Sequence, residues 1–471
     1  MKKLLVLALA SMIAVSSIFA NGQVEKEEIP TIKWVQIGNG MPTNYDEWEA
    51  QVNAYLEEKL GIHMEMEVLS WGDFKTRRSV MINTNEDYDI MFTSQDTFVN
   101  DVTIGAFADI SDKVKTVSPD LYNLMPEAYW KAVSIDGKVY GVPTYKDSSM
   151  TNYWVVRQGL IDKYNLDVKD FMSYKDVTPL LRTIKEGEHV SPYVLASDAQ
   201  DPSLELYDTI GSGLPEIGVK IDDSSMKVVS VYEQDDMMNI FRTLHQWYQE
   251  GLINSDASTL AETPRNLPFK VSQGWKTAAI TVWGPQMGEP AAAFQKSKTI
   301  LTNDTVRGSI NCINANSKYI DESLKLLQLV NTDTKLRDML AFGVEGKDYE
   351  YTANNEIHRI DTSWPMAQYS QGTFFNVSPL EGVTVDQWAE VKQLNQNAIP
   401  SVMLGFTMNT ESVEDEIANC NAIHEKYKLQ ILTGTSDPDV AVAAMMKEMR
   451  AAGFDKILAE AQKQVNEFAS K

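Results

Sequence analysis

The residues of this 471-residue chain that could carry chemistry are five histidines, 66 carboxylates and two cysteines. His63, His189, His245, His358 and His424 are scattered, with no H-x-x-x-H pair, so a zinc site would need ligands drawn from distant segments. Gly343-Val344-Glu345-Gly346-Lys347-Asp348 has a glycine and a lysine but neither the spacing nor the hydroxyl of a phosphate cradle. A G-x-S-x-G elbow is absent. With so many acids some glycosidase-type pair always fits on paper, yet Asp and Glu are chiefly solvated surface residues. Cys312 and Cys420 are too few for a disulfide framework. One bridge between them is chemically open in an oxidising compartment, but two separate buried thiols are the preferred reading. The sequence therefore predicts no catalytic residue, no metal and no cofactor.

Residues that could hold a ligand are clearer once the elements that carry them are read. Ile32–Ile37 reads as a strand and Gly38-Asn39-Gly40-Met41-Pro42 as a loop. Thr43 is placed to cap a helix in which Trp48, Val52, Tyr55, Leu56 and Leu60 recur at helical spacing, ended by Gly61. Ile62–Val68 alternates as a strand. Strand, helix, strand is a βαβ unit and implies parallel pairing. Gly38 and Asn39 then lie at the carboxyl end of the first strand, where open α/β sheets place ligands and where a glycine lets backbone approach one. Phe74–Met81 reads as helical and Asp89–Phe92 as a short buried strand, with the polar loop Thr93-Ser94-Gln95-Asp96 at its carboxyl end. Met150–Val156 is a further strand. Ala278–Val282 reads as a buried strand that delivers Trp283 just before Gly284-Pro285. Trp71 and Trp364 are weaker aromatic candidates. Helical stripes run over 237–247, 321–330 and two C-terminal segments split at Gly453.

Composition narrows the classes. A net charge of −24 without a basic patch disfavours nucleic acid and anionic membranes. Hydrophobic residues at 43% and charged residues at 23% fit a folded, two- or three-domain chain rather than a disordered or fibrous one. Lys2 and Lys3, the apolar run Leu4–Phe19 and Ala20 predict a cleavable export signal over residues 1–20, with a flexible lead-in over 21–30. The run is short for a membrane anchor and has no positive flank beyond it. No cysteine lies near the cleavage point, so no lipid anchor or other direct membrane anchor is expected, and a periplasmic location is the simplest. No repeat or low-complexity stretch is found, and no linker splits the chain, which fits two lobes joined by several crossings.

Several segments are similar to family 1 extracellular solute-binding proteins, the receptors of bacterial ABC importers. They are Asp136-Gly137-Lys138-Val139-Tyr140-Gly141-Val142-Pro143, Ala278–Pro285, Ile310–Lys318, Phe342–Glu350, Ala452–Leu458 and Glu460–Gln464. The resemblance implies an α/β fold of two lobes with parallel-rich sheets, a multi-crossing hinge and no chemistry on the ligand. It implies lobes of roughly 31–147 with 307–365, and 148–306 with 366–471. It implies a hinge at Tyr145 and Asp147, both facing the cleft, and polar contacts from Ser94, Gln95 and Asp96. The expected partners are a small-molecule or oligosaccharide ligand and the permease subunits of a transporter, with the receptor itself a monomer. Aromatic rings stack on sugar C–H faces while Asp, Asn and Gln bond the hydroxyls. Ten Trp and 19 Tyr suit that task. Trp283 with Gly284 leads the candidates, followed by Ser94, Gln95, Asp96, Tyr145, Asp147, Gly38, Asn39, Trp71 and Trp364. A peptide ligand on the same fold, and a secreted carbohydrate-active enzyme, are the alternatives.

Overall fold

The structure, a computed structural model, describes residues 29–470. The expected signal segment and nearly all of the lead-in lie outside the described residues.

The chain opens with β1 (Thr31–Gly38), α1 (Tyr45–Leu60), β2 (His63–Ser70), α2 (Phe74–Thr84), β3 (Ile90–Thr93) and α3 (Gln95–Thr103). In α1, Trp48, Val52 and Leu56 fall on one side and are fully buried, and Gly61 closes the helix at φ 68°. Its first flanking residue is Asn44, without a side-chain cap bond, rather than Thr43. β1 pairs parallel with β2 along its whole length and with β3 through Trp34 and Val35. The strand β4 (Val142–Pro143) then leads to the first crossing, between Tyr145 in the first core and Met150 outside it.

Beyond it lie β5 (Asn152–Arg157), α4 (Asp235–Gln249), β6 (Phe269–Gln273) and β7 (Ala291–Gln295), with β5 central and antiparallel to both β6 and β7. The chain returns as β8 (Ile310–Ile313), which joins the first sheet antiparallel to β3 and β4, and as α5 (Ile320–Thr332). It leaves again through α6 (Gln387–Asn397) and ends in α7 (Glu414–Leu432), α8 (Pro438–Ala451) and α9 (Phe454–Ala469). Among the strands of the described residues, parallel pairing links β1 to its two neighbours and Ile300–Leu301 to Ile399–Pro400, while the other strand pairs are antiparallel, so the sheets are mixed rather than parallel-rich. Long returns such as the one into β8 deliver strands from the opposite end, which makes the pair antiparallel.

One core joins β1–β3, β8 and the helices around them. Two more fill the second lobe, one around Trp154, Leu181 and Trp247, the other around Phe241, Met445 and Phe454. Cys312 is buried in the first core and Cys420 in the last; both are free thiols. Leu301, Val306 and Met366 belong to the first core. At the hinge three segments run side by side. Met150 and Ile300 exchange backbone hydrogen bonds at 2.9 and 3.0 Å, Ile399 N donates to Thr299 O at 2.9 Å, and Thr144 N donates to Ser309 O at 3.0 Å.

Candidate functional site

The carboxyl ends of β1, β2 and β3 open toward the hinge. Asn39 follows β1 and is exposed. Trp71 follows β2 and is 51% exposed; its indole Nε1 donates to Asn39 Oδ1 at 2.6 Å. The Trp71 ring stacks on Tyr369, with centroids 6.2 Å apart and planes 14° apart. Phe92, the third residue of β3, meets Tyr369 edge-on at 5.9 Å. Lys146 Nζ lies 6.0 Å from the centre of the Tyr369 ring, within cation–π reach. Gln95 and Asp96, two residues beyond β3, open α3 and are exposed; Ser94 precedes them without a side-chain cap bond. An aromatic platform of Trp71, Tyr369 and Phe92, bonded to the Asn39 amide, is thus assembled from four separate segments.

Tyr369 is held by a buried polar lattice. Arg337, fully buried, donates to the carbonyls of Gln368 at 2.8 Å and Thr373 at 2.9 Å and to the Gln371 side chain at 3.0 Å. Burial pulls its guanidinium pKa down to about 10. Asn311 on β8 donates to Ser370 O at 2.9 Å and accepts from Trp34 Nε1 and Gln36 Nε2. Ser309 Oγ donates to Tyr369 O at 2.8 Å. Burial also raises the Tyr369 phenol above its ordinary value, so it stays neutral in use.

Across the hinge sits a second surface. Gly274 and Trp275 follow β6, and Trp275 is tilted against Trp388 of α6 at 5.6 Å, which in turn meets Phe374 at 4.6 Å. A cavity of 240 Å³ is lined by Asp147, Ser149, Gln273, Gly274, Trp275, Val391 and Leu394. The helix that closes it is anchored on both sides: Glu390 accepts from Lys276 N, Thr277 N and the Thr277 hydroxyl, while Asn395 bonds Ser149 N and Lys146 O. Lys146 and Asp147 are paired at 2.8 Å, one over Tyr369, the other in the cavity wall.

Several expected site residues lie elsewhere. Trp283 is 3% exposed in a small core with Tyr153, Val155 and Met287. Ala278–Val282 is not a strand: residues 279–283 form a helical turn, because Ala279 and Trp283 bury four residues apart while Ile280 is exposed. Gly284 is buried there, and a Cβ would come within 2.7 Å of Ala279 O, so its smallness serves packing. Tyr145 is 2% exposed, wedged edge-to-face between Tyr129 and Phe375 at 5.1 and 4.7 Å. Trp364 packs on Trp48 at 5.6 Å, and its Nε1 donates to Leu340 O at 3.0 Å. Gly38 is small for Pro365 O and Val68, each 2.9 Å from a built Cβ, not for a ligand. Asn39, Trp71, Ser94, Gln95 and Asp96 gather at the strand ends, and Asp147 at the hinge.

Tyr369, Trp275, Trp388 and Phe374 were not singled out from sequence. Trp275 carries a usable signal, a Gly-Trp step directly after a strand. Tyr369 sits in Met366-Ala367-Gln368-Tyr369-Ser370, which has no periodicity to read.

The family model described as bacterial extracellular solute-binding protein matches residues 50–346, and a domain of unknown function (DUF3502) matches 402–470. A carbohydrate ABC transporter substrate-binding protein of Streptococcus pneumoniae serotype 4 is 30% identical over 93% of this chain and 91% of its own. The N-glycan transport solute binding protein NgtS of Streptococcus pneumoniae, 28% identical, superposes with a TM-score of 0.83 over 94% of this chain and 99% of that one. Its complex with Man5GlcNAc gives 0.70 over 94% and 99%, and its complex with Man1GlcNAc 0.72 over 94% and 100%.

Proposed function

Because the chain belongs to the bacterial extracellular solute-binding proteins, we propose that it is the receptor of an ABC importer, capturing an oligosaccharide between its lobes and handing it to membrane permease subunits. The observation that carries this reading is the Trp71–Tyr369 platform, half-open to solvent and bonded to Asn39. Such a face suits the C–H side of a pyranose, and Asn39, Gln95 and Asp96 suit its hydroxyls. The receptor performs no chemistry on the ligand. Two lobes of roughly 31–147 with 307–365, and 148–306 with 366–471, are part of this reading; Met366, Phe375, Ala398 and Leu404 pack on the first core, so the later crossings interleave.

The ligand class follows from the relatives. NgtS is solved with Man5GlcNAc and Man1GlcNAc, so mannose–N-acetylglucosamine oligosaccharides are the first candidates. The three NgtS structures share one sequence identity to this chain, yet the match falls from 0.83 to about 0.7 with glycan bound. A difference at constant sequence is conformational, which supports an open receptor that closes on sugar by hinge movement. The signal-like pattern over residues 1–20 supports a periplasmic location for the mature receptor.

The test is thermal unfolding with Man1GlcNAc, Man5GlcNAc, unrelated oligosaccharides and peptides. A ligand at about 100 times its Kd stabilises the folded state by about 2.7 kcal/mol. A shift with a sugar series supports the reading. A shift with peptides alone overturns the carbohydrate assignment, and sugar breakdown products would overturn the receptor reading itself.

A further inference from the structure

The loop after β1 holds a chemistry that its amide can perform on itself. Asn39 is followed by Gly40, one of two Asn-Gly steps in the chain; the other is Asn21–Gly22. Glycine has no Cβ to shield its peptide nitrogen. A Cβ built on Gly40 would meet no atom within 4 Å, and Gly40 sits at φ 92°, so the space around that nitrogen is open. The Asn39 side chain is exposed. Among the described residues, neither the Gly40 N–H nor Asn39 Nδ2 donates to an acceptor. Two bonds hold the rest of the residue still. Asn39 N donates to Pro365 O at 3.0 Å, and Trp71 Nε1 donates to Asn39 Oδ1 at 2.6 Å. The side-chain amide is therefore gripped at its oxygen and free at its nitrogen. An indole N–H on that oxygen draws electrons from Cγ. It also stands where negative charge gathers once Cγ is attacked, which is how an oxyanion donor works.

We propose that Asn39–Gly40 is a self-modifying step at the edge of the platform, converted to aspartate and isoaspartate with the Trp71 indole assisting. The Gly40 peptide nitrogen gives up its proton to hydroxide and attacks Asn39 Cγ. Trp71 Nε1–H donates to the oxyanion that forms on Oδ1. The Cγ–Nδ2 bond then breaks, and Nδ2 takes a proton from water and leaves as ammonia. A cyclic succinimide remains. Water opens that ring at Cγ to give aspartate, or at the main-chain carbonyl to give isoaspartate. The sum is asparagine plus water giving acid plus ammonia, with nothing oxidised or reduced. Aspartate keeps an acceptor for the indole but brings a charge to the platform. Isoaspartate routes the main chain through Cγ, which adds a backbone carbon before Gly40 and moves the acceptor away from Trp71. The consequence for a glycan rests on the receptor reading above; the modification itself does not.

The experiment ages the full mature protein in mildly alkaline buffer, as wild type, Trp71→Phe and Asn39→Gln. Peptide mapping by mass spectrometry follows residues 39–40, and isoaspartate methyltransferase labels the isoaspartate. Trp71→Phe keeps a ring beside Tyr369 and removes the N–H. The expected result is loss of the Asn39 amide ahead of the other asparagines of residues 29–470, with aspartate and isoaspartate both formed. The rate should fall severalfold in Trp71→Phe at an unchanged melting temperature, and Asn39→Gln should form neither product at position 39. An Asn39 that stays an amide while other asparagines react overturns the proposal, as does aspartate as the sole product. A rate in folded Trp71→Phe equal to or above wild type overturns the part given to the indole. Man5GlcNAc, if calorimetry shows that it binds, is expected to slow the step by covering the amide. Reaction at the unprotected rate under bound glycan overturns the placing of the sugar on the platform and leaves the modification site standing.

Discussion

Trp71 and Tyr369 lie 298 positions apart in sequence and stack with their planes 14° from parallel. One is fixed by the end of β2 and its bond to Asn39, the other by the Arg337 and Asn311 lattice. Removing the solvent-facing ring leaves the fold intact and strips the platform. Trp71→Ala is expected to weaken oligosaccharide binding by about 1–3 kcal/mol, the usual cost of truncating a central aromatic contact. Calorimetric titration checks it, with an unchanged melting temperature as the control.

Trp283→Ala separates core from cleft. The indole is buried with Tyr153, Met287 and their neighbours, so truncation opens a cavity and is expected to cost about 3–5 kcal/mol of stability. Affinity per folded molecule should be unchanged. Chemical denaturation beside titration decides: weakened binding at unchanged stability would return Trp283 to the site.

These two tryptophans mark what a sequence can and cannot disclose. The βαβ unit was legible because Trp48, Val52 and Leu56 repeat at one helical spacing and Met64, Met66 and Val68 at one strand spacing. The strand ends followed from it, and with them Asn39; the polar loop expected at 93–96 instead runs straight into α3, which begins at Gln95. Trp283 misled because a run of small and branched residues reads equally as strand or helix when it is short. Tyr369 was out of reach for a different reason. Its position depends on Arg337, Asn311 and Ser309, all distant contacts, and its own segment carries no pattern.

Gly38 couples fold to site. A methyl group there would stand 2.9 Å from both Pro365 O and Val68, and backbone cannot yield as a flexible side chain can. Gly38→Ala is expected to cost about 1–3 kcal/mol and to push the 365–366 segment, hence Tyr369, away from Trp71. Denaturation and glycan titration should both worsen; loss of stability alone would show that the platform tolerates the shift.

His424 should give the second lobe a pH-dependent stability. Its Nδ1 is 2.5 Å from the fully buried carboxylate of Glu216, with the Tyr232 ring near it. Burial lowers the imidazole pKa, but Glu216 and Asp201 more than offset burial and the opposing Lys428, leaving it above the ordinary value. A group raised in the folded state contributes stability that is complete below its unfolded value, about 6.5, and is lost as pH rises through the folded one. The stability gap between wild type and His424→Gln should therefore shrink with rising pH above about 6.5, measured by urea unfolding. A gap that widens would refute the assignment.

The backbone carbonyl of Tyr369 accepts from Ser309, and the carbonyl of Ser309 accepts from Thr144, so the plate and the pivot share a joint. A guest that presses on the plate loads the joint at once, but only one that also grips the far wall rewards the swing. In the proposed receptor, a fragment too short to span both would load the plate without rewarding the swing, so closure itself would gauge the length of the guest.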